Sequence, residues 1–589
     1  MKKTPSRRGA NPAASQQNKA TNPAAPSLDR RRLLKGSLAG GGAALASPLL
    51  ASLPGNAAAA GKESAPQLVF GPVAPEFKSA INKLRSVLGH AAVITDDHGL
   101  QPFHDPYYFD RKDHFVPSAA LLPESVEQIQ QILSIANAHH IPVWTSSTGR
   151  NYGYGGAAPE VNGTLVLNLQ RMNRVLEIDQ ESGYAVVEPG VSFLDLYEYL
   201  GKVTDHRWWM SCPDIGWGSV IGNTLEHGMG YTPFGDHSHT QCGMEVVLAN
   251  GDIVRTGMGA MSGNKSWHLF HNGFGPRVDT LFMQSNFGIV TKMGVWLMRR
   301  PEVFLSGNID IRRDEDLPLL VDAIRPLMIE RTIHNYPILG NILGYASFVS
   351  TRDKWYQGEG PMPEAEIQKI CDATGIGRWS MRFALYGYEK VVDTHYGIIQ
   401  NAIKAIPGAS VNARRYPGTA TREDINPADH SQAGIPGLEI MSLTRWYGGE
   451  GGHLGFSPVT PLVGEDVQKQ ARLARRIIEK HGHDYMCGMI LSPRSVIHVV
   501  ELVFDTNNRE LTRSAYMASR DLVQASAELG YGEYRAHLDT MDLSAGQYDF
   551  NNYALRRLNA QLKDALDPNG ILSPGKQGIW PKSMRKDQA

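Results

Sequence analysis

One histidine and one tyrosine–arginine pair stand out as side chains that could do chemistry. His453 lies in a glycine-rich segment, residues 450–458, and Tyr534 and Arg535 are neighbours near the C-terminal end of the chain. An imidazole can act as a base or nucleophile near neutral pH, and a guanidinium can hold an oxyanion through charge-assisted hydrogen bonds. A histidine beside glycines is usually a loop residue on the surface when it stands alone. His453 is a candidate for chemistry only together with other segments of the chain.

Three further segments contain glycines at close intervals, residues 149–156, 213–223 and 222–237. Glycine reaches positive φ and leaves room for close approach, so such loops can place successive backbone N–H groups around a pyrophosphate. The spacing does not match a Rossmann fingerprint, and no Gly-Lys-Ser/Thr sequence ends a loop as in a P-loop. One such loop could be a plain turn-rich connection. A second loop favours a site that encloses a dinucleotide along its whole length.

Strand and helix patterns place the first of these loops between regular elements. Ser125 and Gln128 form a capping-box pattern, which predicts a helix that ends near His140. A short buried strand at 143–145 then leads into the loop. Further strands are predicted at 164–169, 175–178 and 184–190, and a helix at 192–200. The pattern is that of an α+β fold.

The sequence pattern changes from about residue 301, and from there predicted helices alternate with predicted strands. Helices are predicted at 316–327, 363–373 and 464–480, and strands at 381–386 and 495–503. At 589 residues the chain is too long for one ordinary core. We therefore predict an export signal at 1–60, an N-terminal arm at 61–116, a first domain at 117–301, a second domain at 302–530, and a return to the first domain at 531–589.

Composition excludes some classes of partner. The net charge of −1 offers no basic excess to neutralise phosphates, so nucleic acid is not an expected partner. The expected partner is a small molecule. The four cysteines show no metal-ligand spacing, so we predict no metal site and interpret them as small core residues. They are Cys212, Cys242, Cys371 and Cys487.

The N-terminal residues have the pattern of a twin-arginine export signal. Arg30, Arg31 and Arg32 precede two leucines and a lysine, an apolar stretch follows at 38–53, and an alanine run at 57–60 suits cleavage. A plain Sec signal and a membrane anchor are the alternatives, although the stretch is short and rich in Gly and Ala for spanning a bilayer. The pattern predicts export through the twin-arginine machinery to the periplasm, with the cofactor acquired before export.

Taken together, the segments resemble the vanillyl-alcohol oxidase and 4-cresol dehydrogenase family of flavoproteins. The resemblance runs from about residue 117 to the C-terminus, and further segments that carry it are residues 187–191, 243–251, 255–259, 284–290 and 567–571. It implies an FAD-binding domain that is split in sequence, here 117–301 and 531–589, around an α/β cap domain for the substrate, here 302–530. The flavin ring is then expected between the two domains.

Carried over residue by residue, the resemblance is closest to the vanillyl-alcohol oxidase and eugenol oxidase branch. It implies that His453 bonds to the flavin 8α-methyl group, whereas the 4-cresol branch uses a tyrosine elsewhere. It implies that Asp214 lies near flavin N5, where the 4-cresol branch has serine, and that Tyr154, Tyr534 and Arg535 bind the phenol oxygen. The other expected cofactor-binding residues are Thr148, Gly149, Arg150, Asn151, Gly153, Gly155, Pro213, Gly218, Ser219, Gly222, Asn223, Gly228, Tyr231, Gly288, Ile289, Val290 and Lys576.

Structural interpretations of the same residues remain open at this point. Tyr154 could pack on its loop, Arg535 could pair with Glu533, and Asp214 could cap a turn. The family's oxidase branch also has a second histidine that activates the flavin-linked one. The nearest candidate here is His104, but its spacing to Phe115 departs from that pattern.

The resemblance implies FAD-dependent oxidation of para-substituted phenols, such as 4-hydroxybenzylic alcohols and 4-alkyl- or 4-allylphenols, by hydride transfer to flavin N5 through a p-quinone methide. Oxygen is the expected acceptor. The alternative is a dehydrogenase that passes electrons to a c-type cytochrome on another subunit, because this chain has no Cys-x-x-Cys-His sequence. A non-catalytic flavin-binding protein is a third possibility, and a homodimer is the family expectation.

Overall fold

The computed structural model describes residues 75–585. The predicted export signal at 1–60 and the first part of the arm lie outside the described residues. Among residues 75–585 there is no helix with the length and apolar character needed to cross a bilayer.

Within residues 75–585 the strands form four sheets. A mixed four-stranded sheet has the order β1-β2-β4-β3, an antiparallel five-stranded sheet has the order β5-β6-β10-β8-β9, and β7 pairs with β11. An eight-stranded sheet has the order β15-β12-β14-β13-β18-β19-β16, with β17 also paired to β19. The bounds are β1 Val93–Ile94, β2 Ala119–Leu121, β3 Val143–Ser146, β4 Leu165–Asn168, β5 Val175–Asp179, β6 Tyr184–Val187, β7 Trp208–Trp209, β8 Gln241–Val247, β9 Ile253–Arg255, β10 Ile289–Trp296, β11 Met298–Arg299, β12 Val303–Ile311, β13 Ile338–Asn341, β14 Trp379–Gly387, β15 Ser410–Pro417, β16 Gly451–Phe456, β17 Val459–Pro461, β18 Met486–Leu491 and β19 Ser495–Asp505.

The helices pack on these sheets. Their bounds are α1 Pro75–Leu88, α2 Asp97–Leu100, α3 Val126–His139, α4 Phe193–Thr204, α5 Val220–Leu225, α6 His237–Thr240, α7 Leu317–Ile329, α8 Ile342–Ser347, α9 Glu364–Thr374, α10 Glu389–Ile403, α11 Gly464–Lys480, α12 Arg509–Glu528, α13 Met541–Ala545 and α14 Phe550–Leu566. The prediction of α11 is confirmed at both ends, and the other predicted helices are present with ends shifted by one to four residues. The α+β assignment is confirmed.

Helix α3 shows how local chemistry sets an element's ends. The Ser125 hydroxyl accepts the Gln128 backbone N–H at 3.3 Å, as a helix N-cap requires. The return half of the predicted capping box differs, because the Gln128 side chain accepts from Glu124 N at 2.7 Å instead of from Ser125 N. The helix ends at His139, and the C-cap residue His140 adopts the left-handed conformation with φ 51° before Pro142.

Separate apolar cores lie beneath the two largest sheets. One packs α7, α10, α11 and α12 against the eight-stranded sheet, and it also takes in Tyr107, Tyr108 and Phe115 of the arm. Another packs α4 against the five-stranded sheet. All four cysteines are buried and free, which confirms their interpretation as core residues.

The end of the chain lies along the first two sheets. Leu572 forms a parallel bridge with Val143, and the Asn286 amide donates to the carbonyl groups of Ser573 and Ile579, each at 2.9 Å. All strands of the eight-stranded sheet come from residues 303–505. The predicted domain boundaries themselves remain a prediction.

Candidate active site

A cavity of about 380 Å³ brings the predicted segments together. Its lining comes from the loop after β3, from the segment before α5, from the start of β10, from β13 and β18 of the eight-stranded sheet, and from residues 534–541 and 572–576. A concave site of this size with convergent polar groups is the usual form of a cofactor and substrate site.

All four predicted catalytic side chains line this cavity: Tyr154, Asp214, Tyr534 and Arg535. The Arg535 guanidinium lies over the Tyr154 ring, 4.3 Å from its centroid, and donates to Asn151 Oδ1 at 2.6 Å. The Nε atom of Arg535 is buried and has no hydrogen-bond partner among the described residues. A buried charged donor without a partner is costly, so the cluster is suited to receive an anionic oxygen.

The alternative pairing of Arg535 with Glu533 is not what the structure contains. The Glu533 carboxyl is buried, accepts the Ser544 hydroxyl at 2.6 Å, and is 3.4 Å from Ser457 N. Burial raises the pKa of Glu533 to about 8. Glu533 is therefore a supporting residue behind the cluster and not the counter-ion of Arg535.

Three residues that the sequence analysis did not place beside this cluster hold it in position. Ser457 bonds to the Tyr154 hydroxyl at 3.2 Å, Gln284 donates to the Tyr534 carbonyl at 2.8 Å, and Asn151 accepts from Arg535. Burial raises the pKa of both phenols, and the nearby guanidinium acts against that rise. Both tyrosines are therefore O–H donors at neutral pH.

Asp214 is held by a side chain and not by a turn. The Tyr231 hydroxyl donates to Asp214 Oδ2 at 2.6 Å. Burial raises the pKa of Tyr231, and the Asp214 charge raises it further, so the phenol keeps its proton. Among the described residues no backbone N–H donates to the Asp214 carboxylate, which argues against the turn-capping interpretation.

His453 lies in strand β16 and not in a surface loop, with 6 % of its surface exposed. Its Nδ1 atom is 2.9 Å from Glu501 Oε2, and its ring centroid is 5.7 Å from that of Tyr107. The candidate second histidine, His104, does not line the cavity. Sequence reasoning missed Glu501, because a carboxylate 48 positions away gives no local signal.

The remaining expected cofactor residues fall into two groups. Gly153, Gly155 and Gly228 do not line the cavity but let chain segments approach closely: an added Cβ would lie 2.7 Å from His453 Cε1, 2.4 Å from Leu538 Cδ1 and 2.0 Å from Asn223 Oδ1. Those that line it are His453, Thr148, Gly149, Arg150, Asn151, Pro213, Gly218, Ser219, Gly222, Asn223, Tyr231, Gly288, Ile289, Val290 and Lys576.

The loop after β3 fits a diphosphate. Gly149, Gly153, Gly155 and Gly156 all have positive φ, and among the described residues the backbone N–H groups of 148–153 donate to no protein acceptor. Successive free N–H groups in such a loop make an anion-binding concavity. The loop therefore offers the donors that the diphosphate of FAD needs.

Lys576 reaches the cavity as part of an ion pair. Its Nζ atom is 2.5 Å from Glu226 Oε1, and Gln577 donates to the other oxygen of Glu226 at 3.1 Å. Although burial raises the pKa of Glu226, Lys576 and Arg535 bring it below its usual value. Glu226, also missed from sequence, ties the C-terminal segment to the cavity wall.

Comparisons with known proteins agree with this geometry. Residues 117–257 match the FAD binding domain family, and residues 438–577 match the C-terminal domain of FAD linked oxidases. The 4-cresol dehydrogenase [hydroxylating] flavoprotein subunit of Pseudomonas putida is 38 % identical over 508 residues, which span 86 % of this chain and 96 % of that protein.

Two solved structures have the same architecture at substantial identity. The 4-ethylphenol oxidase from Gulosibacter chungangensis, in its isoeugenol complex, superposes with a TM-score of 0.84 at 39 % identity, covering 87 % of this chain and 99 % of that one. The p-cresol methylhydroxylase with substrate bound gives 0.81 at 37 % identity, covering 86 % and 97 %. The chain therefore belongs to the vanillyl-alcohol oxidase and 4-cresol dehydrogenase family of FAD-linked oxidoreductases, and its cofactor is FAD.

Proposed function

We propose that this enzyme oxidises para-substituted phenols, including 4-hydroxybenzylic alcohols and 4-alkyl- or 4-allylphenols, and passes the electrons to oxygen. The observation that carries the proposal is the cluster of Arg535, Tyr154 and Tyr534 on the wall of the cavity that also contains His453, with Arg535 Nε unpartnered among the described residues. Two relatives, at 38 % and 39 % sequence identity to this chain, are named for 4-cresol and 4-ethylphenol.

The cluster has enough binding energy to hold a phenolate. A free phenol titrates near pH 10, so keeping it ionised at pH 7 costs about 4 kcal/mol. Each hydrogen bond to a charged group contributes about 1.5–3 kcal/mol. Arg535 and the two tyrosine hydroxyls can together offset the cost, and the resulting phenolate pushes electron density toward the para carbon and its benzylic C–H bond.

FAD, when bound, supplies the acceptor for the hydride that leaves the benzylic carbon. The protein's part is to hold the phenolate at one end of the substrate and Asp214 near the other. Asp214 can stabilise the electron-poor benzylic centre, take the proton of an alcohol substrate, or activate water for attack on the quinone methide. Its bond from Tyr231 keeps the carboxylate oriented for these roles.

We also propose that FAD is covalently attached through His453. The motif around His453, its burial in β16 and its position on the cavity wall support this assignment. An attached imidazole withdraws electron density from the flavin ring and so raises its reduction potential, which favours substrate oxidation. Retention of yellow colour in acid-precipitated protein, and its loss in His453→Ala, is the expected result.

The electron acceptor distinguishes two versions of the proposal. One solved relative is named an oxidase, whereas the Pseudomonas putida relative is named the flavoprotein subunit of a dehydrogenase. With a twin-arginine signal and a periplasmic location, both also proposed here, a c-type cytochrome on a separate subunit is the alternative acceptor. The homodimer expected from the family remains part of the proposal, and a non-catalytic flavin-binding role is disfavoured by the anion-binding cluster.

One set of assays tests the proposal. The purified holoenzyme is mixed with 4-alkylphenols and 4-hydroxybenzyl alcohols, and oxygen uptake and hydrogen peroxide are measured. Turnover under air that yields stoichiometric peroxide supports the oxidase. Reduction of the flavin absorbance without oxygen uptake, followed by reoxidation with cytochrome c, supports the dehydrogenase. No reduction of the flavin by any phenol contradicts both.

A further inference from the structure

We infer that Glu501 is a positioning residue for cofactor attachment, which holds His453 in the tautomer with a proton on Nδ1 and presents Nε2 as the atom that bonds to FAD. The inference rests on the covalent attachment proposed above and names the residue that makes His453 competent for it.

Strand pairing places Glu501 beside His453. In the antiparallel ladder of β16 and β19, His453 lies opposite Val503 and Gly455 lies opposite Glu501. Side chains two residues apart share a face of a sheet, so Glu501 is the diagonal neighbour of His453. Because Gly455 has no side chain, the Glu501 carboxylate can lean across to reach Nδ1 of His453, 2.9 Å from its Oε2 atom.

The bond fixes the imidazole tautomer. A carboxylate is only an acceptor, so Nδ1 of His453 must carry the proton and donate it to Glu501. The lone pair is then on Nε2, which makes no hydrogen bond with the described residues. The His453 and Glu501 side chains are 8 % and 20 % exposed, so water competes weakly for the bond.

Neighbouring groups leave the ring little freedom to turn. The Tyr107 ring packs at 5.7 Å from the imidazole, centroid to centroid. On another side, the chain at Gly153 comes so close that an added Cβ would be 2.7 Å from Cε1 of His453. Rotation that would exchange the two ring nitrogens is therefore opposed by packing as well as by loss of the bond to Glu501.

The covalent step balances with groups already named. His453 Nε2 forms a bond to the methyl carbon of the cofactor ring, one methyl C–H bond breaks with release of its proton, and the electron pair of that bond passes into the ring. The Nδ1 proton passes to Glu501 and from there to water. Dioxygen then takes the electron pair from the ring and two protons from water, and leaves as hydrogen peroxide. A carboxylate at Nδ1 assists because it stabilises the positive charge that develops on the imidazole as Nε2 forms its bond.

The test compares how fast FAD becomes acid-stable in full-length proteins produced with limiting riboflavin and then incubated with FAD in air. The variants are Glu501→Gln, Glu501→Asp and His453→Ala. Asp521→Asn is the matched control, because Asp521 bonds to His481 over the same 2.9 Å in the same half of the chain, away from the cavity. Non-covalent FAD content and thermal stability are measured for each protein.

We expect Glu501→Gln to bind FAD and to attach it at least tenfold more slowly than wild type. Glu501→Asp should recover part of the rate, and Asp521→Asn should equal wild type. NMR of the histidyl-flavin released by hydrolysis of wild-type protein should show linkage through Nε2.

Attachment in Glu501→Gln at the wild-type rate, or linkage through Nδ1, overturns the role of Glu501 while the covalent proposal stands. Release of all FAD from acid-treated wild-type protein overturns the covalent proposal itself. If Glu501→Gln does not fold, Glu501→Asp decides between the outcomes. The shorter aspartate side chain places its carboxylate farther from Nδ1 of His453, so attachment of FAD must slow. An unchanged rate contradicts the inference.

Discussion

The Tyr231 hydroxyl donates a hydrogen bond to Asp214 Oδ2 over 2.6 Å, and this bond leaves Oδ1 as the other oxygen of a carboxylate on the cavity wall. Asp214 Oδ1 has no hydrogen-bond partner among the described residues. A half-satisfied carboxylate on a cavity wall is an acceptor held ready for a substrate proton or for positive charge at the benzylic carbon. The pair thus has the geometry of a functional group and its orienting partner.

The first prediction concerns this pair. Asp214→Ser keeps a short polar side chain but removes the charge, so flavin reduction by substrate without oxygen should slow by at least about tenfold, which is roughly 1.4 kcal/mol in the barrier. Stopped-flow absorbance measures it. Tyr231→Phe removes only the orienting bond and should have a smaller effect. Unchanged reduction in Asp214→Ser, with only thermal stability lowered, would make Asp214 a structural residue.

The second prediction concerns phenolate binding at Arg535. Arg535→Ala should retain FAD but lose about 1.5–3 kcal/mol or more of transition-state stabilisation, because a charged donor to the phenolate is gone. Arg535→Lys should recover part of this loss, since it keeps the charge without the planar fork. Steady-state kcat/KM provides the comparison. With the wild-type enzyme, 4-methoxybenzyl alcohol should be inert, because its para oxygen is a methyl ether and cannot form a phenolate. Turnover of this compound at the rate of 4-hydroxybenzyl alcohol would contradict the mechanism.

The third prediction uses Gly153, where the backbone has φ +79° and an added Cβ would be 2.7 Å from His453 Cε1. Gly153→Ala should displace the imidazole and lower the share of FAD that survives acid precipitation. Gly89→Ala is the control, because Gly89 has φ +81° and an added Cβ there meets no atom within 4 Å. Equal retention of FAD in both variants would show that the loop's approach to His453 has no role in attachment.

The fourth prediction is a pH dependence of stability. Burial raises the pKa of Glu533 to about 8, above its ordinary value of 4.5. The folded protein therefore binds a proton here that the unfolded chain releases, so the stabilisation is complete below about pH 4.5 and is lost as the pH rises through about 8.

Glu533→Gln mimics the protonated carboxyl and should remove this dependence. Thermal unfolding followed from pH 5 to about pH 9 should show wild type losing stability relative to the variant up to about pH 8, with little further change above it. Parallel curves for the two proteins would mean that Glu533 is ionised throughout. The Ser544 hydroxyl, which bonds to Glu533, serves as a control through Ser544→Ala, where the pH dependence should persist.

The segments that form the site are recognisable in the amino-acid sequence, because glycine spacing and neighbouring residue types are local properties. Helix α11 and the N-cap at Ser125 are predictable for the same reason, since capping and amphipathic periodicity act within a few residues. Expected cofactor residues such as Thr148, Gly222 and Lys576 follow from the resemblance of whole segments, and the structure brings them to one cavity.

Partners across strands and between distant segments are not predictable in this way. Glu501 reaches His453 because of the register of β16 with β19, and a shift of one residue would turn it to the other face of the sheet. Tyr231, Ser457 and Glu226 acquire their partners only when separate segments close around the cavity.

The sequence by itself therefore determined the class of fold and, through the family resemblance, the cofactor; it also supplied the residues proposed to bind a phenolate. Only the tertiary structure decided which groups orient those residues: Glu501 at His453, Tyr231 at Asp214, and Asn151 at Arg535. The physical reason is one of range. Conformational preferences of the chain act over a few residues, whereas a hydrogen bond requires two groups within about 3 Å, and only packing brings distant residues that close.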